Sequence, residues 1–240
     1  MKKLLSLVLL ASAGTSYAQG IKAGTVSLGG NVGYYQTENT QNSAFNAVAY
    51  PGQINYSNSS KSLNRQFTLA PSVGYFVADN FAIGAMLEYT SQKQTASSSS
   101  TGGVVGVGSI TFDMDPNTTL RLGLYAQYYK MLGEQFGLVG TLNGGYQTST
   151  SYSLTNSLGM AELKGKGYYT GITPGIVFFP IPKLGISASV GGLSFNHYSY
   201  DYPKVAGNTP PSSYENETNT FGASFGLSQL LFGGTYYFGR

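Results

Sequence analysis

Cysteine and tryptophan are absent from this chain of 240 residues, and only 10% of its residues are charged. The absence of cysteine excludes a disulfide framework, a thiolate zinc site and a cysteine nucleophile. Soluble surfaces usually carry about 25–35% charged residues, and nucleic-acid-binding proteins present a face rich in lysine and arginine. With 13 cationic and 10 acidic residues, the chain fits neither class. We therefore expect no nucleic-acid partner and no ordinary soluble surface.

The start of the chain has the organisation of a secretory signal peptide. Two lysines precede an apolar core at positions 4–13, and Ser16 and Ala18 form a small-x-small cleavage site. Residues 1–18 are thus predicted to be removed, which leaves one domain at 19–240. The loss of the two lysines lowers the net charge from +3 to about +1. Export of a chain without cysteine is typical of a bacterial envelope protein.

The remaining sequence alternates between apolar and polar residues. No apolar run approaches the ~18–20 residues that a membrane helix requires. From Val26 to Tyr34 the even positions are apolar or glycine, and the odd positions are polar or small. A period of two predicts a β-strand with one apolar face. The pattern recurs near 66–75, 81–90, 120–129, 136–143, 168–179, 184–195 and 219–238, which predicts eight strands in all.

The connections between the predicted strands alternate in length. Short turns lie near residues 78–80, 132–135 and 180–183, and long polar loops near 38–64, 91–117, 148–166 and 197–217. Short turns on one side and long loops on the other describe an antiparallel up-and-down meander. Outer-membrane barrels have this asymmetry, with short periplasmic turns and longer extracellular loops.

The polar face of the strands distinguishes a membrane barrel from a soluble, lipocalin-like barrel, since both have one apolar face. Its charged residues are only Glu88 and Arg121, too few for the outside of a soluble barrel. We place this face inside and predict a lumen ion pair between Glu88 and Arg121 in a packed interior with Phe76, Tyr125 and Tyr129.

The apolar face ends in aromatic residues, as the girdles of membrane barrels do. These are Tyr34, Tyr75, Phe81, Tyr89, Phe136, Tyr146, Phe178, Tyr236 and Phe238. The predicted fold is all-β: an eight-stranded antiparallel up-and-down transmembrane β-barrel preceded by a cleaved signal peptide. The predicted location is the bacterial outer membrane, surrounded by its lipid.

The signal peptide, the text APSVGYFVADNFAIGAML and the C-terminal LLFGGTYYF resemble the outer-membrane protein β-barrel family, the small OmpA/OmpX-type barrels. The resemblance implies a monomeric barrel without cofactor or metal. It also implies that the barrel assembly machinery reads the end of the last strand, with Phe232, Tyr236 and Phe238 as the assembly signal. Family members usually end in an aromatic residue, whereas Gly239 and Arg240 follow here.

The last strand changes phase along its length. Phe221, Phe225 and Leu227 occupy odd positions, whereas the terminal apolar set is even. Two interpretations remain open. A β-bulge near Ser228 or Gln229 would shift the phase, or the first half of the strand would stand above the membrane.

The single histidine belongs to a motif found in barrel enzymes. His197 and Ser199 resemble the His-x-Ser pair of barrels that deacylate lipid A, although Tyr200 stands where that family has asparagine. We interpret the two residues as polar positions at the top of a strand and expect no enzymatic activity.

Three loop segments have simpler interpretations than a ligand site. Residues 113–117 resemble the opening of a calcium loop, but Thr118 and Leu124 stand where glycine and glutamate are needed, so a turn is predicted. The Ser97–Gly103 segment is predicted to be a flexible tip. Four further tyrosines form either a contact surface or a border with lipid headgroups: Tyr198, Tyr200, Tyr202 and Tyr214.

The expected function follows from these features. Long loops outside the cell indicate a structural or surface-interaction role with a possible extracellular ligand, in a non-enzymatic, porin-like or OmpA-like barrel. The alternative is a lipid A-modifying enzyme or a small-solute channel.

Overall fold

The computed structural model describes residues 20–49, 52–101, 108–155, 159–202 and 213–239, so the predicted signal peptide lies outside the described residues. Over the described ranges no helix is long and apolar enough to span a membrane. The same ranges contain nine β-strands: β1 (Val26–Ala49), β2 (Gly52–Ala78), β3 (Phe81–Thr101), β4 (Gly108–Asp113), β5 (Asn117–Met131), β6 (Phe136–Thr155), β7 (Gly159–Ile181), β8 (Leu184–Tyr200) and β9 (Glu217–Phe238).

All of these strands except β4 close into a ring. Antiparallel pairings run in the order β1, β2, β3, β5, β6, β7, β8 and β9, and β9 returns to β1. The closing pairs run from Val26 opposite Phe238 to Val32 opposite Phe232. The predicted antiparallel up-and-down barrel is therefore present. Its turn end carries the connections at 79–80, 132–135 and 182–183; the opposite end is called the hairpin end.

An apolar band surrounds the barrel. Side chains alternate between outside and lumen, and among the outward ones Leu122 is 62% and Leu124 70% exposed. Two aromatic belts border the band. Near the turn end lie Tyr75, Phe81, Tyr128, Phe136, Phe178, Tyr236 and Phe238, and near the hairpin end Tyr34, Phe67, Tyr89, Tyr146, Tyr168, Phe195 and Phe221. Between these belts the outward positions of the described strands carry no Asp, Glu, Lys or Arg.

Two irregularities explain the phase change of the last strand. In β9, Leu230 lies opposite Val190 but Phe225 lies opposite Gly191, so residues 226–229 are additional to the β8 ladder. This bulge places the odd-numbered and the even-numbered apolar residues of β9 on the same outer face. It confirms the first of the two interpretations, a β-bulge near Ser228 or Gln229. In β8, Gly191 has a φ of 82° and lies where the register with β7 also shifts.

The hairpin end differs from the predicted loops. β1 and β2 pair continuously as far as Ala49, which lies opposite Gly52. β3 pairs with β4 from Thr95 opposite Asp113 to Ser100 opposite Gly108. The prediction of long loops is wrong near 38–64, 91–117 and 148–166, which the strands largely occupy, whereas near 197–217 it agrees with the end of β8 at Tyr200 and the start of β9 at Glu217. The prediction of a flexible tip at Ser97–Gly103 is wrong for residues 97–101, which belong to β3, and residues 102–103 lie outside the described residues. Much of this region is polar on both faces, as at Ser57–Ser60 and Ser97–Ser100, so apolar alternation does not mark it in the sequence.

Glycines make room for two inward tyrosines. A Cβ at Gly74 or Gly84 would collide with the ring of Tyr125, and a Cβ at Gly123 would collide with the Tyr169 hydroxyl. The two tyrosine side chains thus lie across the neighbouring strands of the wall, where only glycine leaves the necessary space.

Candidate functional site in the barrel lumen

Glu88 and Arg121 form an ion pair inside the barrel. They lie opposite each other on β3 and β5, and Arg121 Nη1 donates to Glu88 Oε1 at 2.9 Å. The glutamate side chain is 16% and the arginine side chain 28% exposed. The structure thus brings together the two charged residues that strand alternation assigned to the lumen.

Arg121 is also the centre of a polar network. Its Nε donates to Gln147 Oε1 at 3.0 Å, and its Nη2 donates to Asn196 Oδ1 at 3.0 Å. The guanidinium carbon lies 5.0 Å from the centroid of the Tyr169 ring, within the range of a cation–π contact. These partners belong to β6, β8 and β7, so one guanidinium connects walls on several sides of the lumen.

Gln147 fixes this network to the barrel wall. Its side chain is fully buried, and its Nε2 donates to the carbonyl oxygens of Tyr168 at 3.2 Å and His197 at 3.3 Å. A buried amide without partners would be costly, and these bonds satisfy it. Because both ends of the amide are engaged, Gln147 holds Arg121 in one orientation.

Two cavities adjoin the ion pair. One of about 120 Å³ lies toward the turn end and one of about 340 Å³ toward the hairpin end, and Glu88 and Asn143 line both. The prediction of a packed interior is therefore wrong at this height. Most inward side chains here are serine, threonine, asparagine or glycine, which are too small to fill the lumen. Polar cavities of this size have room for water.

The lumen is closely packed near the turn end. There Phe76, Tyr129, Phe179 and Tyr237 form what we call the aromatic layer, and all four side chains are buried. Neighbouring ring centroids lie 5.5 to 6.5 Å apart, and Tyr237 Oη donates to Tyr129 Oη at 3.3 Å. Offset and edge-to-face rings at these separations attract one another. The predicted occlusion by Phe76 and Tyr129 is thus found at this level.

The segment before β1 seals the aromatic layer from below. Ile21 is 0% exposed and packs in the same cluster. Its amide donates to Asn80 Oδ1 at 2.8 Å, and its carbonyl accepts from the Asn80 amide at 2.8 Å. Asn80 has a φ of 63°, a conformation that asparagine tolerates better than most residues. The turn at 79–80 therefore holds the N-terminal segment across the end of the lumen.

Asp79 reinforces this attachment. Its carboxylate accepts from the Ala23 amide at 2.9 Å and from Lys22 Nζ at 2.9 Å. The hydrogen bond from the Ala23 amide, followed by that from Lys22, lowers the pKa of the Asp79 carboxyl below its ordinary value. Both contacts favour the charged form of Asp79.

His197 and Ser199 lie on the outer face of β8, above the apolar band. The His197 ring stacks on Tyr168 with centroids 4.6 Å apart, and its Nδ1 lies 2.9 Å from Asn219 Oδ1. Among the described residues no hydrogen bond joins His197 to Ser199. The two share a face, as their spacing requires, but no nucleophile–base contact is formed.

The other residues singled out in the sequence lie apart from the lumen. Phe232, Tyr236 and Phe238 point outward on the last strand and are exposed. The Asp113 carboxylate, at the end of β4, accepts hydrogen bonds from Lys93 Nζ at 2.9 Å and from Thr95 Oγ1 at 3.0 Å. These bonds, the one from Lys93 first, lower the pKa of Asp113.

The four tyrosines near the hairpin end form two separate pairs. The rings of Tyr198 and Tyr200 stack with centroids 5.6 Å apart, and Tyr202 and Tyr214 meet edge to face at 5.0 Å. Each pair buries part of its own surface, and among the described residues no ring contact joins the two pairs.

Comparison with known proteins gives limited similarity. No protein-family model matches the chain, and no curated protein sequence does. A crystal structure of the outer membrane protein OprG from Pseudomonas aeruginosa is 17% identical, covering 93% of this chain and 100% of that one, with a TM-score of 0.39. The beta domain of the Bordetella autotransporter BrkA is 12% identical over 92% of this chain and 100% of its own, with a TM-score of 0.27. The barrel described above therefore rests on its strand pairings and not on these similarities.

Three members of the lumen network were not identified from the sequence. Gln147 and Tyr169 have the same parity as the lumen residues of their strands, so extending the alternation would have found them. Asn196 is different, because the bulge at Gly191 reverses the parity of β8 above it. Only the observed register places Asn196 inside.

Proposed function

We propose that the protein is an integral outer-membrane β-barrel whose hairpin end has a structural or surface-interaction role outside the cell, without enzymatic activity. The apolar band carries this proposal. Monomeric soluble proteins rarely expose an apolar patch larger than a few hundred Å², whereas here an uncharged belt surrounds the whole barrel. Hydrocarbon is the environment that such a surface fits.

The dimensions of the band support a membrane location. A tilted strand crosses a bilayer with about 9–11 residues. Segments between the aromatic belts, such as Phe81–Tyr89 and Phe136–Tyr146, have this length. The closed ring also pairs backbone groups that hydrocarbon could not solvate.

The asymmetry of the two ends supports an orientation. Short turns belong on the periplasmic side of such barrels, so the hairpin end would lie outside the cell. The exposed aromatic residues of β9, Phe232, Tyr236 and Phe238, would be read by the barrel assembly machinery during insertion.

The hairpin end offers a surface for contacts. β1, β2, β3 and β4 pair side by side there into a sheet that continues beyond the barrel. Its side chains are mostly serine, threonine, asparagine and glutamine, as in the runs Ser57–Ser60 and Ser97–Ser100. Such side chains give adaptable hydrogen bonding without net charge.

Trimming this sheet tests the proposed role. Replacing residues 41–60 by an Asn-Gly turn would join Thr40 to its paired residue Lys61 and leave the barrel intact. Cells producing the trimmed protein should settle more slowly and attach less to surfaces than cells producing the Glu134→Gln control. Equal settling and attachment at equal outer-membrane levels would contradict the surface-interaction role.

A solute-binding or channel function is the second candidate. The two cavities beside Glu88 favour it, because they share Glu88 and Asn143 in their walls and their polar linings suit a small solute. The aromatic layer opposes it, since buried rings and Ile21 close the other end. A steady single-channel current from the wild-type protein in planar bilayers would move this function to first place.

The absence of enzymatic activity is the remaining part of the proposal. It is supported by the engagement of His197 with Tyr168 and Asn219 instead of Ser199. Mass spectrometry of lipid A from cells with and without the protein tests it. Loss of an acyl chain in the producing cells would contradict it.

A further inference from the structure

One sector of the outer surface has a polar patch directly above the apolar band. On β7, Lys166 lies two residues beyond Tyr168 of the aromatic belt. Its neighbour across the ladder is Ser199 of β8, and the next outward residue of β8 toward the band is His197. We call Lys166, His197 and Ser199 the outer patch. It contains the His-x-Ser motif, to which the proposed function assigns no role.

Lys166 differs from the other lysines that the structure describes near the hairpin end. Lys61 pairs with Glu38 at 2.8 Å, Lys93 with Asp113 at 2.9 Å and Lys164 with Glu162 at 3.4 Å. Lys166 is exposed and, within the described part of the chain, forms no ion pair. Its ammonium group thus has hydrogen-bond donors available for a ligand.

The geometry of the patch suits a compact anion. Residues directly opposite in an antiparallel ladder have Cβ atoms about 4.5–5.5 Å apart, so the Lys166 ammonium and the Ser199 hydroxyl reach the same small group. The His197 ring is held by Asn219 and by stacking on Tyr168, and it borders this group on the side of the band.

The height of the patch identifies the source of the anion. Aromatic belts lie at the level of the lipid headgroups, and a cation just beyond them meets the headgroup phosphates. We propose that the outer patch binds a phosphate monoester on a glycolipid of the outer leaflet. This inference rests on the proposed membrane location.

The charges beside the outer patch predict the direction in which each substitution should change binding. Glu217 of β9 lies opposite Ser199 on the other side from Lys166 and is exposed. Asp201 and the Glu162–Lys164 pair lie further from the band. A carboxylate beside the patch repels an anion, so removing the charge of Glu217 should strengthen binding while removing that of Lys166 should weaken it.

Native mass spectrometry of the detergent-purified full chain tests this proposal, with bisphosphorylated lipid A and its dephosphorylated form as probes. We expect the phosphorylated form to be retained more strongly. Lys166→Gln should weaken its retention about fivefold, the contribution of one cation near a membrane surface. Glu217→Gln should strengthen it, and the matched control Lys61→Gln should leave it unchanged.

The possible results separate the two proposals. A heat-modifiable barrel in which Lys166→Gln retains the phosphorylated lipid like the wild type overturns the outer patch alone. Equal retention of the two lipids, or complete displacement by millimolar inorganic phosphate, overturns it as well, because the site would then not recognise a lipid phosphate. A protein without a heat-modifiable band in any variant overturns the membrane location together with the patch.

Discussion

Asn80 and Ile21 exchange two hydrogen bonds of 2.8 Å and thereby fasten the segment before β1 beneath the aromatic layer. The turn at 79–80 is thus more than a connection between β2 and β3. It positions Ile21 against rings contributed by β2, β5, β7 and β9. The closed end of the lumen depends on a segment that strand alternation does not reveal.

Because the lumen is closed at the turn end, we expect the wild-type barrel not to conduct ions. Wild-type protein in planar bilayers should give no steady current, whereas Ile21→Gly combined with Phe76→Ala should give one by removing the seal and one ring. Because truncating a buried phenylalanine costs ~3–5 kcal/mol, the variant must first show a folded band on unheated gels. Phe81→Ala, on the outer face, serves as the control and should remain closed. An equally silent double variant that is folded would show that the seal lies elsewhere.

Acid should release the N-terminal segment. The pKa of Asp79 is lowered in the folded protein, so its contribution is present above the unfolded value of about 3.9 and is lost as the pH falls through the lowered folded value. Hydrogen exchange at Ala23 should therefore accelerate below about pH 4, relative to β-strand amides. In Asp79→Asn this acceleration should be absent. If Asp79→Asn showed the same acceleration as the wild type, Asp79 would not be the group whose protonation releases the segment.

The lumen pair should contribute measurably to stability. Glu88→Gln leaves Arg121 with Gln147 and Asn196 but without its counter-charge. The cavities beside the pair allow hydration, so we expect a loss of about 1.5–3 kcal/mol instead of the ~3–5 kcal/mol of a dry pair. Urea titration followed by the folded band on gels measures it. Glu134→Gln, in an exposed turn, should have no effect, and equal effects would refute a structural role for the pair.

A charge on the apolar band should be costly. Leu124→Arg, midway between the two aromatic belts on β5, should hinder insertion or cost roughly 2–4 kcal/mol. Gly123→Ser is an unsuitable lumen control, because a Cβ there would meet the Tyr169 hydroxyl and the Gly144 carbonyl. Ser194→Arg is better matched, since Ser194 lines the larger cavity. If both arginines had the same effect on folding, the inner and outer faces would have been assigned wrongly.

The sequence predicts the barrel well where one face of the strands is apolar. The alternation from Leu120 to Tyr128 defines both the strand and its exposed side, and parity assigns Glu88 and Arg121 to the lumen, where the observed register places them opposite each other. It fails beyond the band, where strand segments such as Ser57–Ser60 and Ser97–Ser100 are polar on both faces. It also fails above Gly191, where a bulge reverses the parity and only the observed pairing brings Asn196 to Arg121.

The orientation of the barrel in the outer membrane is tested most directly by labelling intact cells with an impermeant maleimide, since the chain has no native cysteine. Ser99→Cys lies on β3 at the hairpin end, and Glu134→Cys lies in a turn at the other end. Our account predicts labelling of Ser99→Cys in intact cells and of Glu134→Cys only after the outer membrane is permeabilised. Labelling of Glu134→Cys but not Ser99→Cys in intact cells, or recovery of both in the soluble periplasmic fraction, would contradict it.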